Sequence, residues 1–293
     1  MRKAFTLAAT ILLCGTLVSA QDFKKATELA KQANEELVNG NAEAAISGFQ
    51  AALAGAANCT EEGVADLVNS CKQGIAFANN SLANTMIEGG KLEEAIKQLE
   101  KTLAAAVEAG DEELAQKVDQ KTTQLHQALA NAKIKAAATA ADAAAKVATY
   151  KEALTHLDIA LTKDGENGKL YLQKGQILGS IGDKAAAVES FLKAKELGIE
   201  DAANKQLSTI FVKEAAAKLK AKDFKGAIDA ALKSNEYLES ATSYKIAGTA
   251  ANGMKDLEHA AEYLGKYIEL APNAKDVEQM KAAVTAIKAN IGK

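Results

Sequence analysis

A short alanine-centred motif recurs six times along the 293-residue chain. In each copy an apolar residue directly follows the alanine, and another apolar residue lies four positions after the alanine. The six alanines are Ala45, Ala95, Ala153, Ala187, Ala227 and Ala260. Neighbouring copies are 50, 58, 34, 40 and 33 residues apart. A basal period near 34 residues is typical of a helix–turn–helix repeat, and such repeats stack into a solenoid in which each unit buries its face on its neighbours.

The stretches between the motifs favour helix. Alanine, lysine, glutamate, leucine and glutamine dominate the composition, and the chain contains a single proline, Pro272. Turn signals such as Asn39-Gly40-Asn41 and Gly182-Asp183 separate runs with helical apolar spacing, and no run alternates apolar and polar residues over the length of a strand. We therefore predict an all-α chain. The recurring glycine breaks argue against a coiled coil, which needs an uninterrupted seven-residue repeat.

Two of the six copies carry a fuller pattern of aromatic, small and apolar residues. The fourth copy contains Tyr171, Gly175, Leu178, Ala187 and Phe191. The sixth copy contains Tyr244, Ala247, Gly248, Ala251, Ala260, Leu264 and Pro272. This order and spacing resemble the tetratricopeptide repeat family, and the resemblance covers about residues 26 to 272. It implies a right-handed α-solenoid of about six helix–turn–helix units that binds other proteins and has no enzymatic activity.

Two intervals exceed the family length, by 16 and 24 residues, and neither excess has the composition of a loop. The segment from Asp111 to Ala148, which includes the alanine-rich stretch from Ala136 to Ala145, contains neither glycine nor proline. We therefore predict that the first helices of units two and three are extended at their starts. After Pro272, residues 273 to 290 have the apolar spacing of one amphipathic helix, and we expect residues 273–293 to cap the array.

The first twenty residues have the features of a secretory signal. Arg2 and Lys3 precede an apolar stretch, and the small residues Ser19 and Ala20 lie before Gln21. The stretch is too short to span a bilayer, and no later one reaches about 18 apolar residues. The sequence thus predicts a signal peptide over 1–20, a repeat array over 21–272, and an exported bacterial protein of the periplasm or cell envelope with no integral membrane segment after processing. A lipoprotein signal at Cys14 is disfavoured by the leucine before it.

Cys59 and Cys71 follow the predicted signal and are separated by twelve residues. In one continuous helix their Cα atoms would lie about 18 Å apart, whereas a disulfide tolerates about 7 Å. An exported protein meets an oxidising compartment, so a bridge stays possible. The favoured interpretation is that Cys71 is a small buried apolar residue.

The sequence contains no pattern typical of catalysis. It has no nucleophile elbow, phosphate loop or dinucleotide fingerprint. His126, His156 and His259 lie in three different units, and none has a neighbour at metal-ligand spacing. We therefore predict no enzyme activity, no metal and no cofactor. Without residues 1–20 the chain carries 33 basic and 38 acidic residues, a balance that argues against nucleic acid as a partner.

The resemblance also implies a binding surface on the concave face, which the first helices of successive units line. In the two best-matched units it assigns Lys169, Leu172, Gln176, Thr242, Lys245 and Thr249. The expected function is that of an interaction scaffold or adaptor that binds a helix or an extended peptide there. A soluble periplasmic holding chaperone for exported proteins is the alternative, and self-association through the first repeat or the extended helices is compatible with either.

Overall fold

The structure is a computed structural model that describes the backbone of residues 2–292 and the side chains of residues 20–292. Thirteen helices and no strand occupy the described backbone. The helices are α1 (Arg2–Val38), α2 (Ala42–Ala56), α3 (Val64–Glu88), α4 (Leu92–Ala109), α5 (Glu112–Thr139), α6 (Ala143–Lys163), α7 (Gly168–Ser180), α8 (Lys184–Glu196), α9 (Glu200–Lys220), α10 (Phe224–Tyr237), α11 (Ala241–Gly253), α12 (Leu257–Leu270) and α13 (Val277–Lys288). The predicted all-α array of helix–turn–helix units is confirmed.

The first twelve helices follow one another as six consecutive pairs, which we call hairpins, and each motif alanine lies on the second helix of its pair. All six of these alanines are completely buried. A small residue is needed at such a crossing because the two helices approach closely. In the fourth hairpin, for example, a Cβ atom added to Gly175 of α7 would lie only 2.6 Å from the ring of Phe191 on α8. The recurring alanine therefore marks the packed interior of each hairpin.

The chain divides into two compact units, Met1–Asn131 and Ala132–Lys293. In the N-terminal unit, one apolar core surrounds Phe49 and Cys71, and a second surrounds Leu99 and Val118. In the C-terminal unit, three cores follow one another along the chain around Phe191, Ala227 and Leu264. Each of the two compact units thus buries its apolar residues between successive helices, as a stacked repeat does.

Five of the six hairpins turn through a residue with a positive φ angle. The turn residues are Gly40 (85°), Gly90 (73°), Gly182 (90°), Lys222 (60°) and Lys255 (64°). Each lies five positions before the motif alanine of its hairpin. The left-handed backbone at this point ends the first helix and reverses the chain, and glycine adopts it without the steric cost that a Cβ atom brings.

The third hairpin turns differently, and it corrects one expectation from the sequence. Both α3, with 25 residues, and α5, with 28, are longer than α7, with 13, which confirms the extended first helices. The segment from Asp111 to Ala148 is nevertheless not one helix, because the chain turns between Thr139 and Ala143. Asp142 caps α6 by accepting a hydrogen bond from the backbone N–H of Ala145. Part of the excess length therefore belongs to α6, the second helix of the hairpin.

The last helix, α13, packs on the core around Leu264 through three of the residues that the sequence indicates as inward-facing, Met280, Val284 and Ile287. The fourth such residue, Val277, is also buried. The helix is shorter than the predicted range of residues 273–290. Its role as a cap for the array stays a prediction.

The two cysteines lie in different elements. Cys59 lies in the turn before α3, which begins at Val64, and no disulfide joins it to Cys71. Cys71 is completely buried, and this burial raises the pKa of its thiol. The structure thus agrees with the interpretation of Cys71 as a buried apolar residue.

Of the predicted signal peptide, residues 1–20, only Ala20 is among the residues described with side chains. Cys14 lies outside them. Among the described residues, no helix is both long enough and apolar enough to cross a membrane.

Candidate functional site

A cleft of about 520 Å³ opens between α7 and α9, the first helices of the fourth and fifth hairpins. We call it the C-terminal cleft. Gly175 and Gly179 on α7 bring no side chain into it, so the cleft reaches down to the ring of Phe191. The wall residues are Gln176, Ser180, Gln206, Thr209, Lys213 and Ile210, and the surface that lines the cleft is more apolar than polar.

The start of α9 contributes Gln206 to the cleft. This helix has 21 residues, eight more than α7, and the additional turns lie at its start. Ala203 and Leu207 anchor those turns, because both are completely buried in the core that also contains Phe191. Gln206 lies in these turns and lines the cleft together with Gln176 of α7 and with Thr209, which lies in the part of α9 that corresponds to α7.

Charged groups close one end of the C-terminal cleft. Lys184 forms an ion pair with Glu214, and its Nζ atom lies 5.2 Å from the centre of the Phe211 ring. Glu214 also approaches Lys218, at 3.6 Å between the nearest charged atoms. Lys213 adds an exposed positive charge at the wall. The cleft can therefore offer amide, hydroxyl and ammonium groups to a ligand, above an aromatic floor.

The three residues predicted on α7 have different environments. Gln176 lines the C-terminal cleft. Leu172 is half-buried and packs against the core around Phe191. Lys169 is exposed in the first turn of α7, where its backbone N–H donates to the Asn167 side chain.

The three residues predicted on α11 do not line this cleft. Thr242 and Thr249 are exposed, and the Thr249 hydroxyl donates to the backbone carbonyl of Lys245. The Lys245 ammonium forms an ion pair with Asp276, which precedes α13. The six predicted residues lie on α7 and α11, which α9 separates in the order of the hairpins, and their role as a binding surface stays a prediction.

Asp276 is an internal ligand for Lys245. One carboxylate oxygen accepts from Lys245 and the other from the hydroxyl of Tyr267, while the Lys245 Nζ atom lies 5.4 Å from the centre of the Tyr267 ring. The hydrogen bonds from Lys245 and then Tyr267 lower the pKa of Asp276, and the same contact with Asp276 raises the pKa of Lys245. Lys245 thus already has a carboxylate partner within the chain.

Sequence reasoning missed the contribution of α9. Thr209 occupies the position in the fifth unit that Lys169 occupies in the fourth, since the two motif alanines are 40 residues apart. The register set by Ala227 was the available signal for Thr209, and the interval, six residues above the basal period, was the signal for the longer helix. Gln206 lies in the additional turns, which the family pattern does not cover.

A comparable cleft of about 550 Å³ lies between α1 and α3 in the N-terminal unit, and we call it the N-terminal cleft. Lys31 and Asn34 of α1 line it together with Gln73 and Phe77 of α3. Its floor is again a phenylalanine beneath a glycine, because a Cβ atom on Gly74 would lie 2.5 Å from the Phe49 ring. The Phe77 side chain is 52% exposed and places an aromatic ring at the rim of this cleft.

Neither cleft has the groups of a metal centre. Among the residues described with side chains, no three histidine, cysteine, aspartate or glutamate side chains are grouped so that they could hold a metal ion. His259 hydrogen-bonds Asp256 at 2.8 Å through Nδ1, and this contact raises the pKa of the imidazole.

Comparison with solved structures finds other helical-repeat proteins. A MamA fragment from Desulfovibrio magneticus is 18% identical, and the match covers 58% of this chain and 97% of that one with a TM-score of 0.33. PilF from Pseudomonas aeruginosa is 16% identical, with coverages of 90% and 99% and a TM-score of 0.32. A repeat-containing protein from Cytophaga hutchinsonii is 15% identical, with coverages of 85% and 98% and a TM-score of 0.37.

No curated protein sequence matches this chain. A family model described as tetratricopeptide repeat matches residues 168–197, which include all of α7 and α8. The other hairpins repeat the completely buried motif alanine of this pair, and four of them also repeat its left-handed turn residue five positions earlier. The fourth hairpin therefore matches a tetratricopeptide repeat, and the remaining hairpins repeat its buried alanine.

Proposed function

We propose that this protein is a non-enzymatic interaction scaffold of the cell envelope that binds an extended peptide or a helix of a partner in the C-terminal cleft. The observation that carries the proposal is the opposition of Gln176 and Gln206 across a cleft with an aromatic floor. A side-chain amide both donates and accepts hydrogen bonds, so a pair of them can satisfy the backbone of a bound peptide. Phe191 offers apolar contact to one of its side chains.

The location in the envelope rests on the sequence of residues 1–20. If they are a secretory signal, the chain isolated from the envelope fraction begins at Gln21, and deletion of residues 2–20 leaves the protein in the cytoplasm. N-terminal sequencing of the fractionated protein checks this. A chain that keeps Met1 in the cytoplasmic fraction of unmodified cells would contradict the proposed location without affecting the proposed cleft.

Site-specific photo-crosslinking in intact cells tests the cleft. A photoreactive phenylalanine analogue replaces Gln176 or Gln206 in turn, and the exposed residue Glu189 of α8 serves as the control position. We expect one discrete adduct from both cleft positions and none from the control. Introduction of Lys213→Glu should weaken the adduct, because it reverses the charge at the cleft wall.

Adducts of equal strength from the control position would show that the partner does not use the cleft. A ladder of many weak adducts that Lys213→Glu does not change would favour the second candidate function, a holding chaperone. One observation supports that candidate, namely the exposed ring of Phe77 at the rim of the N-terminal cleft. Phe77→Ser should then reduce the ladder, whereas it should not change a discrete adduct at Gln176.

A further inference from the structure

Three turns of the C-terminal unit lie side by side and form one of its edges. They belong to the fourth, fifth and sixth hairpins. A Cβ atom added to Gly253, which ends α11, would lie 2.8 Å from the ring of Phe224, which begins α10. The ion pair of Lys184, the first residue of α8, with Glu214 joins the turn of the fourth hairpin to the last turns of α9. The contacts thus bring the three turns together.

This edge carries lysines without an acidic partner. Four of them are exposed and form no ion pair with any residue described with side chains, namely Lys220, Lys222, Lys225 and Lys255. We call these four lysines the basic edge. The segment from Lys213 to Lys225 contains five lysines and two acidic residues, a net charge of +3. Residues 132–293 contain 24 lysines and 21 acidic residues, so this segment accounts for the positive charge of the whole unit.

Most acidic residues at these turns are already engaged. Glu214 approaches both Lys184 and Lys218. An aspartate precedes each of α8, α10 and α12 and accepts a hydrogen bond from a backbone N–H in the first turn of that helix. These caps are Asp183, Asp223 and Asp256. Glu258, in the first turn of α12, is exposed and has no partner among the described side chains, so the four lysines face one available carboxylate.

Two lysines of the basic edge occupy a backbone conformation that favours glycine. Lys222 and Lys255 have φ angles of 60° and 64°, and within the described backbone no other residue except glycine has a positive φ. The corresponding turns of the first, second and fourth hairpins have glycine at this position. The turn itself therefore does not require lysine. A residue held in an unfavourable backbone conformation points to a function for its side chain.

An apolar side chain is exposed between these lysines. Met254 directly precedes Lys255 and is 49% exposed. Neither the C-terminal cleft nor the N-terminal cleft includes Met254 or a lysine of the basic edge. These side chains therefore project from turns and do not line a groove that could enclose a peptide. Lysine can lay its aliphatic stem along apolar material while its ammonium reaches a polar group, and methionine adapts its shape to an apolar surface.

We propose that the basic edge docks on the surface of an anionic lipid bilayer. The four ammonium groups bind lipid phosphates, and Met254 inserts among the headgroups. Binding at a membrane interface combines apolar contact with attraction to anionic lipid, which is the combination that these turns offer. Each lysine close to such a surface strengthens binding by about fivefold. The proposal is independent of the C-terminal cleft, which remains open to a protein partner.

Co-sedimentation with vesicles is the first experiment. The protein is used as it is isolated from cells, and vesicles of equal parts phosphatidylglycerol and phosphatidylcholine are compared with phosphatidylcholine alone. The neutral vesicles report any binding through apolar residues only. We expect saturable binding to the anionic vesicles, at least about tenfold weaker binding to the neutral ones, and loss of the difference at high salt. Absence of binding, or equal binding to both, would overturn the proposal.

Two double variants locate the binding. Lys222→Gly with Lys255→Gly suits both turns, so the protein should fold at least as well as the wild type while binding anionic vesicles about 20-fold more weakly. The control, Lys205→Gln with Lys275→Gln, removes the same charge from exposed residues near the start of α9 and after the end of α12. It should bind within about threefold of the wild type, because these lysines lie away from the bilayer. Unchanged binding in the glycine variant, or equal losses in both, would contradict the assignment of the basic edge.

Fluorescence tests the orientation on the bilayer. The chain contains no tryptophan, so Met254→Trp introduces a single reporter, and Leu270→Trp, at a residue that is 46% exposed at the other end of α12, is the control. We expect anionic vesicles to shift the emission of Met254→Trp to shorter wavelength and to leave that of Leu270→Trp unchanged, because tryptophan inserts at membrane interfaces. Equal shifts in both variants would refute docking through this edge.

An acidic protein is the alternative partner for the same lysines. Polyglutamate serves as the probe for it. If polyglutamate binds and the binding weakens in the glycine variant, while anionic vesicles do not bind, the partner is an acidic protein and the proposal of a bilayer is wrong. We expect the reverse, with vesicle binding that polyglutamate weakens only by competing for the lysines.

Discussion

Two lysines occupy turn positions where three other hairpins have glycine. Lys222 and Lys255 have φ angles of 60° and 64°, and a side chain with a Cβ atom costs about 1–2 kcal/mol in this conformation. Glycine removes that cost but loses some conformational entropy on folding. We expect Lys222→Gly and Lys255→Gly each to raise the free energy of unfolding by about 1 kcal/mol in urea denaturation.

Lys220→Gly is the matched control for these two turns. Lys220 is also exposed, but it lies in the last turn of α9 with right-handed helical backbone. Glycine there should lower the free energy of unfolding by about 1 kcal/mol. Stabilisation by all three changes would mean that the positive φ angle is not the cause.

The contact of Asp276 with Lys245 and Tyr267 predicts a dependence of stability on pH. Its hydrogen bonds lower the pKa of Asp276 in the folded state, so the contribution is complete above the unfolded pKa of about 3.9 and is lost as pH falls through the lower folded value. Asp276→Asn should therefore be less stable than the wild type at neutral pH, and the difference should shrink below about pH 4. Urea denaturation across this range measures it.

Glu269→Gln, which changes an exposed carboxylate in α12, provides the control for Asp276→Asn. It should leave stability nearly unchanged throughout the range. A difference between Asp276→Asn and the wild type that stays constant down to about pH 2 would refute the role given to the carboxylate charge.

At the residue scale, the repeat pattern correctly predicted buried positions, whereas the ligand-facing positions stay predictions. The motif alanines and their apolar partners follow from packing, and one residue per hairpin is enough to define that register. Whether an exposed side chain is available depends on the whole environment, as Lys245 illustrates. Asp276 reaches it from 31 residues further along the chain, and no local pattern indicates that contact.

At the scale of the helix, the third hairpin shows how one polar residue can divide an alanine-rich segment. Alanine favours helix on both sides of the turn, and no glycine or proline is present to mark it. Asp142 accepts a hydrogen bond from the N–H of Ala145 at 2.6 Å, which satisfies one of the donors at the start of α6. The sequence therefore predicted the helical content of this region correctly but not the turn within it.

Asp142→Ala tests whether this cap maintains the turn. We expect it to lower the free energy of unfolding by about 1 kcal/mol, whereas Asp142→Asn should retain most of the stability because asparagine also caps helices well. Circular dichroism should show no loss of helix in Asp142→Ala, since alanine is the better helix former. Equal losses in both variants would indicate that the negative charge, and not the cap, is what matters.

The length of α9 is a second feature at the scale of the helix. Its additional turns position Gln206 in the C-terminal cleft, and the interval of 40 residues between Ala187 and Ala227 indicates these turns. An interval gives only the number of added residues. It does not say whether they lengthen a first helix, as in α9, or are shared with a second helix, as in α6.

At the scale of the whole molecule, stability should add up from hairpins and their neighbours, as in other stacked repeats. The cores around Ala227 and Leu264 lie wholly after residue 164, and so do all the buried members of the core around Phe191. Among the residues described with side chains, Leu154 of α6 is the one contributor to that last core from before residue 164. Asn167, which caps α7, has its Asp164 partner within the same stretch.

We therefore expect the fragment from Asp164 to Lys293 to fold without the preceding helices. It should be helical by circular dichroism, unfold in one cooperative transition, and retain the C-terminal cleft. The fragment from Ala143 to Lys293 adds α6 and with it Leu154, so it should unfold at a higher urea concentration. If only this longer fragment unfolds cooperatively, α6 is an obligatory part of the fold and the additive description fails at the third hairpin.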